Sequence, residues 1–444
     1  MSVRAYLEYK NSEVTWLGAV PSHWRVGRIK DLFEIRKRIS GELGHDILSI
    51  TQAGIKVKDI DSNDGQLSMD YSKYQLVRPG DFAMNHMDLL TGWIDISSQQ
   101  GVTSPDYRVF ALRAPASDIS RFFLYVFQMA YSRRQFFPFG QGSSQLGRWR
   151  LPTDAFYGFP LPVPSKHEQS AIAAFLDRET AKIDVLVAEQ GRLIALLKEK
   201  RQAVISHAVT KGLNANAAMK DSGIEWLGEI PAHWELKRLK NVAVEPLKYG
   251  ANEAADGAIA GDPRFVRITD IAEDGSLRDA TFRSLPYEVA APYLLDENDI
   301  LLARSGGTVG KSFIYRKSWG MCCFAGYLIR LRLCSESYSP DFVYQLLNSN
   351  AYWQQLGMNQ IQSTIQNFSA EKYAGMVFGF PPINEQTEIV DKLSKRLSQY
   401  SLLISEAQSA ITLLHERRAA LISAAVTGKI DVRGLIEQQE MEAA

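Results

Sequence analysis

The sequence predicts an α/β (α+β) chain: two globular mixed α/β domains, separated by two long helices paired as an antiparallel coiled coil, with a pseudo-twofold internal repeat. Three observations carry that expectation. Residues 12–30 (SEVTWLGAVPSHWRVGRIK) recur as 222–240 (SGIEWLGEIPAHWELKRLK), with nine of nineteen positions identical at an offset of 210. Residues 199–210 (EKRQAVISHAVT) recur as 416–427 (ERRAALISAAVT) at an offset of 217. Two proline-free helical stretches share one hydrophobic register. The chain is a frame stated twice around two divergent inserts, and an internal repeat of this size implies two related units.

The opening brackets come first. Their shared residues include Trp16/Trp226, Leu17/Leu227, Gly18/Gly228, Pro21/Pro231, His23/His233 and Trp24/Trp234. The inserts that follow, 31–160 and 241–380, alternate short β-branched and aromatic runs with helical ones. DYRVFALRA (106–114) and YLIRLRL (327–333) read as strands, whereas SRFFLYVFQMAYSRRQFF (120–137) and PDFVYQLLNSNAYWQQLG (340–357) read as helices.

The long helices follow each insert. From Glu168 to Thr210 there is no proline and one glycine, Gly191, and strong helix formers dominate. Apolar residues step by four and three at Ile172, Leu176, Ile183, Leu186, Leu193, Leu197 and Val204. Adding 217 gives Ile389, Leu393, Tyr400, Leu403, Ala410, Leu414 and Leu421, so the seam recurs in register. Pro164 and Pro381 precede the helices, and Gly212 and Gly428 end them. At 1.5 Å per residue each would be about 60 Å long. A seam of that length wants a partner, and its own copy is the first candidate; the alternative is that each seam packs only on its own insert. The expected division is 1–165 (first globular domain), 166–212 (first long spacer helix), 213–382 (second globular domain), 383–430 (second long spacer helix) and 431–444 (tail).

Composition bounds the function. With 444 residues, 45% hydrophobic and 23% charged, the chain has the make-up of a soluble protein with sizeable cores. No apolar run approaches the roughly 18 residues of a membrane span, and the first residues lack a signal-peptide core. The expected location is cytoplasmic, with no membrane partner. Cys322, Cys323 and Cys334 cluster, but no histidine lies near in sequence, and buried thiols in a reducing compartment are expected. The formal net charge is zero, yet each insert is acidic first and basic second. Residues 41–100 hold four Lys/Arg and nine Asp/Glu, and 101–160 hold seven Arg and three Asp. Residues 241–300 hold five basic and twelve acidic groups, and 301–380 hold seven and three. A local basic surface binds phosphate whatever the total, because screening acts over about 10 Å.

Three segments imitate catalytic motifs. SGGTVGKS (305–312) misses the phosphate-binding P-loop by one residue, Ser305 for glycine, and FIYRK after it reads as a strand where a helix is required. SPDY (104–107) resembles an amino-methyltransferase motif but has Asp106 where proline belongs. Glu235-Leu236-Lys237 lacks the upstream Pro-Asp of a nuclease. The seven histidines suggest neither a triad nor a metal site. No catalytic residue, metal or cofactor of its own is expected.

The remaining candidates are polar loops after each amphipathic helix, GQGSSQLGRWR (140–150) and MNQIQSTIQNF (358–368). Glutamine reads adenine through paired hydrogen bonds and arginine reads guanine, although any exposed loop can have this composition. The candidate DNA-contacting residues are Gln141, Gln145, Arg148 and Arg150 in the first insert. In the second they are Arg304, Thr308, Lys311, Gln362, Thr364 and Gln366.

These features together resemble the specificity (S) subunit of type I restriction–modification systems, over essentially the whole chain. The residues carrying the resemblance are W-L-G-x-[IV]-P-x-H-W at 16–24 and 226–234, and the approaches to His167-Glu168-Gln169 and Asn384-Glu385-Gln386. The closers KRQAVISHAVTKGL and RRAALISAAVTGKIDVR belong with them, as do PGDFAMNHMDLLTGWIDISSQQGVTSPDYRVF (79–110) and ENDILLARSGGTVGKSFIY (297–315). The resemblance implies a non-catalytic reader whose two target-recognition domains each bind one half of a bipartite, asymmetric sequence in double-stranded DNA. It implies two methyltransferase (M) subunits, which bring S-adenosylmethionine to adenine N6, and restriction/translocase (R) subunits, which use ATP and magnesium. One departure is that Lys211-Gly212 stands where the second closer has Gly428-Lys429. The recognition subunit of a type IIB/IIG-like enzyme would share the frame, and a protein scaffold with no DNA role is the reading from another class.

Overall fold

Each W-L-G segment folds into the same small device. Tyr9–Asn11 pairs antiparallel with Ala19–Pro21, and Met219–Asp221 pairs with Glu229–Pro231 in the same register, Tyr9 facing Pro21 and Met219 facing Pro231. Gly18 and Gly228 hold φ of 62° and 58°, the left-handed conformation that glycine adopts without a Cβ penalty, which accounts for the repeated glycine. Trp24 and Trp234 are fully buried. The computed structural model describes residues 4–59, 70–114, 117–143, 148–254, 257–272, 275–360 and 367–434. The chain divides into two compact units, residues 1–190 with 409–444, and residues 191–408.

In the first unit the main sheet has four antiparallel strands: β1 (Phe33–Ile35), β2 (Phe82–Met84), β3 (Ile94–Ile96) and β4 (Arg108–Leu112), in the order β1-β4-β2-β3. Helix α1 (Ser117–Ser132) packs on it, and a hairpin of β5 (Gln141–Ser143) and β6 (Arg148–Arg150) follows. The core is rich in phenylalanine. Phe33 lies edge-on to Phe82, Phe110, Phe123 and Phe127, with centroids 5.3–5.6 Å apart. Each such ring contributes about 2 kcal/mol from burial. Helix α2 (Lys166–Lys211) starts here, and Ile172, Phe175 and Leu176 join the same core.

In the second unit β7 (Lys248–Tyr249), β8 (Ile300–Ala303), β9 (Ser312–Ile314) and β10 (Leu328–Leu331) form a sheet in the order β7-β10-β8-β9, the same topology. Here the core is aliphatic at the sheet (Ile300, Leu302, Ile329, Leu331) under helices α3 (Pro340–Leu346) and α4 (Asn350–Gln360). The final helix, α5, spans Ile383–Val426. Cys322 and Cys323 lie fully buried on the strand Cys322–Phe324, and burial pushes both thiols up to about 12.

Each unit takes a stretch of both long helices, in antiparallel order. In the first, Ile172 and Leu176 near the start of α2 share a core with Leu421, Ala425 and Val426 near the end of α5, and Asp184 meets Arg418 at 3.6 Å. In the second, Val204, Ala208 and Val209 of α2 share a core with Ile389 and Leu393 of α5. The seam is not covered along its length. Ile183 is buried, but Leu186 is 48% exposed and Leu193 43%. The heptad pattern marks an apolar face without saying what covers it.

The interchanged Lys-Gly and Gly-Lys closers make the same contact. Lys211 Nζ donates to the Glu229 carbonyl and Lys429 Nζ to the Ala19 carbonyl, and these two carbonyls are equivalent in the repeat.

Candidate nucleic-acid interface

A turn that is the same in both units aims the strand end at each candidate site. In the first, Arg78 N–H donates to the carboxylate of buried Asp81 at 2.9 Å, just before β2. In the second, Asp296 N–H donates to buried Asp299 at 2.8 Å, just before β8. Each aspartate also takes an arginine fork, Asp81 from Arg38 at 2.9 and 3.1 Å and Asp299 from Arg332 at 2.8 and 2.6 Å. Bidentate pairs of this kind fix geometry as well as adding energy.

From the first turn, β2 leads to a loop, residues 85–92, that anchors the β5–β6 hairpin. Leu89 N–H donates to Trp149 O and Leu151 N–H to His86 O, both at 2.9 Å. Trp149 Nε1 donates to Phe137 O at 2.9 Å, and a Cβ on Gly140 would lie 2.4 Å from that nitrogen, so glycine is required there. Gln141 faces Arg150 across the hairpin, and both are exposed. Arg148 lies on β6 opposite Ser143, and Gln145 falls outside the described residues. Beneath the hairpin, buried Arg108 donates to Leu151 O at 3.1 Å and lies 4.4 Å over the Phe156 ring. Burial lowers this guanidinium to about 10. His86, half-buried, is pushed down to about 3 by burial first and then by Arg108 and Arg150. Its imidazole is neutral at physiological pH.

In the second unit Arg304 follows β8. Its guanidinium sits 4.6 Å over the Tyr249 ring, with Nε 3.4 Å from Asn367 Oδ1 and Nη1 3.5 Å from the Gly326 carbonyl. Among the described residues no carboxylate pairs with it. Tyr249 is itself held, its hydroxyl accepting from Ala370 N–H at 2.9 Å. Tyr327, whose carbonyl accepts from Arg304 N–H, is 67% exposed. Gly306–Thr308 forms one 3₁₀ turn, Thr308 Oγ1 donates to Ser305 O at 3.2 Å, and Lys311 is exposed. A Cβ on Gly310 would lie 2.8 Å from Trp353 and Leu356, so this glycine serves close packing, and strand β9 follows it where a phosphate-binding loop needs a helix. Gln362, Thr364 and Gln366 fall outside the described residues.

Arg304, Thr308 and Lys311 thus share one strand-end turn, and Gln141, Arg148 and Arg150 share one hairpin. Sequence reasoning did not single out His86, Tyr249, Asn367 or Tyr327. A signal for His86 existed: Asp81 and Asp299, each just ahead of an apolar run, stand at an offset of 218, which places His86 opposite Arg304. No group of three or more His, Cys, Asp or Glu among the described residues could hold a metal ion. Nor is any helix among them long and apolar enough to cross a membrane.

The two units thus repeat one sheet order, and in each the candidate residues that are described stand beside a strand end. Residues 261–411 match the family model described as type I restriction modification DNA specificity domain. The chain is 24% identical over 297 residues to the type I restriction enzyme StySPI specificity subunit of Salmonella potsdam, covering 63% of this chain and 60% of that one. It is 22% identical over 289 residues to the EcoKI specificity subunit of Escherichia coli K12, again covering 63% and 60%. These matches therefore span about three fifths of each relative's length. A solved chain from a study titled "Structural basis underlying complex assembly and conformational transition of the type I R-M system" has the same fold, with a TM-score of 0.64 at 16% identity over 93% of this chain and 99% of that one. The chain is thus similar in sequence to type I restriction–modification specificity subunits, with the family's DNA specificity domain matched at residues 261–411.

Proposed function

We propose that this chain is the non-catalytic, sequence-specific DNA-binding subunit of a type I restriction–modification complex. Residues 1–165 and 213–382 are its two target-recognition domains, and 166–212 and 383–430 its spacer helices. Each domain reads one part of a bipartite target in double-stranded DNA. The target is asymmetric because the loops differ: a Gln/Arg hairpin in one unit, an Arg304–Tyr249 platform in the other. The contact residues are Gln141, Gln145, Arg148, Arg150, Arg304, Thr308, Lys311, Gln362, Thr364 and Gln366. Most of their hydrogen bonds go to phosphates, with the remainder on base edges.

The observation that carries this reading is the pairing of one scaffold with two unlike polar loops. Arg304 is stacked on the Tyr249 ring with no carboxylate partner among the described residues, which a protein-binding scaffold does not require. Such a cation is ready for phosphate or guanine. Two methyltransferase subunits, followed by restriction/translocase subunits, dock on the helices. Support for docking there comes from the leucines that the chain leaves uncovered, Leu193 and Leu196 on α2 and Leu402 and Leu403 on α5, at 43–63% exposure. The complex acts in the cytoplasm, where its DNA is.

The test is co-expression with the cognate methyltransferase subunit in a methylation-free host, with genome-wide mapping of methyl-adenine. A single two-part asymmetric motif is expected. An assembled, soluble complex that deposits no methyl groups and retains no duplex would overturn the reading.

A further inference from the structure

The hydrogen bonds of the two units pair His86 with Arg304. Three independent markers set the correspondence. The turn aspartates Asp81 and Asp299 each immediately precede the second strand of the sheet. Within the sheets Phe82 faces Phe110 and Ile96, as Ile300 faces Leu331 and Ile314. Beyond the strand, the carbonyl of His86 receives the N–H of Leu151, and the carbonyl of Arg304 receives the N–H of Phe368, at 2.9 and 2.8 Å. Leu151 and Phe368 each close the polar loop of their unit. His86 and Arg304 therefore occupy one position: the end of the strand, at the foot of the loop.

The two side chains fill that position with different chemistry. Arg304 is a permanent cation spread over the Tyr249 face. His86 lies close enough to Arg108 and Arg150 to feel both, and burial with their charge keeps it neutral. Its Nδ1 is buried with no hydrogen-bond partner among the described residues. A buried N–H without an acceptor is costlier and rarer than a buried lone pair without a donor. The proton therefore belongs on Nε2, and the ring offers one donor. Purine N7, guanine O6 and thymine O4 are acceptors in the major groove that match a single neutral donor.

We propose that His86 is a base-reading residue of the first unit, a neutral hydrogen-bond donor to a base-edge acceptor, in the position where the second unit places Arg304. This rests on the reading of the chain as a DNA specificity subunit. It makes the two halves differ in kind. The second half draws part of its affinity from a cation and is salt-sensitive at this position, whereas the first gains discrimination there with no counterion released.

The experiment uses the full chain assembled with its methyltransferase subunits. Two readouts are taken: the methyl-adenine motif mapped genome-wide, and duplex affinity as a function of salt. For His86→Ala we expect one half of the motif to relax at a single position, a roughly fivefold to tenfold loss of affinity, and an unchanged salt slope. His86→Gln keeps a donor and guards against a folding defect, and it should retain part of the discrimination. Arg304→Ala should weaken duplex binding and lower the salt slope by about 1, and it should leave unchanged the half of the motif that His86→Ala relaxes. A wild-type motif that His86→Ala and His86→Gln both leave intact overturns the proposal, as does relaxation of the same half by His86→Ala and Arg304→Ala. If the wild-type complex itself yields no two-part motif and binds no duplex, the specificity-subunit reading falls, and this proposal with it.

Discussion

His23 Nε2 lies 2.9 Å from Glu168 Oε1, and the Trp24 indole N–H donates to the same oxygen at 3.3 Å. The second unit repeats the cluster, with His233 at 2.7 Å and Trp234 at 3.1 Å from the Glu385 carboxylate. Each glutamate opens a long helix, and each His-Trp pair belongs to the bracket that begins its repeat. One carboxylate thus ties the start of a repeat to the start of its helix.

Removing that carboxylate should loosen the first unit more than the second. The Glu168 side chain is 5% exposed and that of Glu385 28%. Glu168→Ala leaves a buried indole N–H without its acceptor and should cost about 2–3 kcal/mol. Glu385→Ala should cost about 1 kcal/mol, because water reaches the vacated donors. Hydrogen exchange followed separately in each unit checks the difference; equal losses would contradict it.

Acid should destabilise the first unit in two stages. His86 is held near 3 in the fold against an ordinary value of 6.5. The unfolded chain therefore takes up a proton below about 6.5 that the folded chain refuses, and stability falls from there down toward pH 3. For Glu168, burial alone would raise the carboxyl, but hydrogen bonds from His23, Trp24 and Ser165 outweigh it and leave it below its usual 4.5. Its stabilising effect is present above 4.5 and is lost as pH falls through the lowered value. His86→Gln should remove the first stage only, moving the onset of acid unfolding, followed by near-UV circular dichroism, into the carboxylate range.

The two helix-ending glycines should not tolerate alanine equally. Gly428 has φ of 70°, and a Cβ there would lie 2.4 Å from Pro21 Cδ. Gly212 has φ of 74°, but its Cβ would meet nothing closer than 3.4 Å. Gly212→Ala should cost about 1 kcal/mol from backbone strain alone. Gly428→Ala adds an overlap with a rigid ring and should cost about 3 kcal/mol. Urea denaturation of the two variants separates these values.

Polar substitution of the uncovered leucines should test docking without touching the fold. Leu193→Gln with Leu402→Gln should leave thermal stability within about 0.5 kcal/mol of the parent, as is usual for exposed sites. Co-purification of the methyltransferase subunit should fall sharply. Undiminished assembly would place the docking surface elsewhere.

The frame was legible because it is written twice and because backbone chemistry punctuates it. A proline before each helix, a left-handed glycine after it and 40-odd residues without an internal proline leave little alternative. The Trp and His of the brackets were visible as repeats, although only the fold shows them converging on Glu168 and Glu385. The seam was half legible: Ile172 and Leu176 are buried as expected, and Leu186 and Leu193 are not. Periodicity reports which residues share a face, and burial depends on what else arrives there. His86 stayed hidden because its sequence cue, the aspartate shared by positions 81 and 299, is a single identity between divergent inserts. Its meaning comes from strand register and from a hydrogen bond to Leu151, 65 positions away.

The first unit draws on residues 409–433 to close its core: Val432 is fully buried, Arg4 bridges Asp431, and Tyr9 donates to the Gly428 carbonyl at 3.0 Å. The second unit needs only residues 191–408, a continuous stretch. A ribosome therefore completes the second unit before the first, in reverse of their order along the message. The first domain must wait, partly built, while more than two hundred residues are added behind it. A chain cut short after the second unit would carry one finished unit and one unfinished one, so an interrupted translation is marked by the loss of the part that was made first.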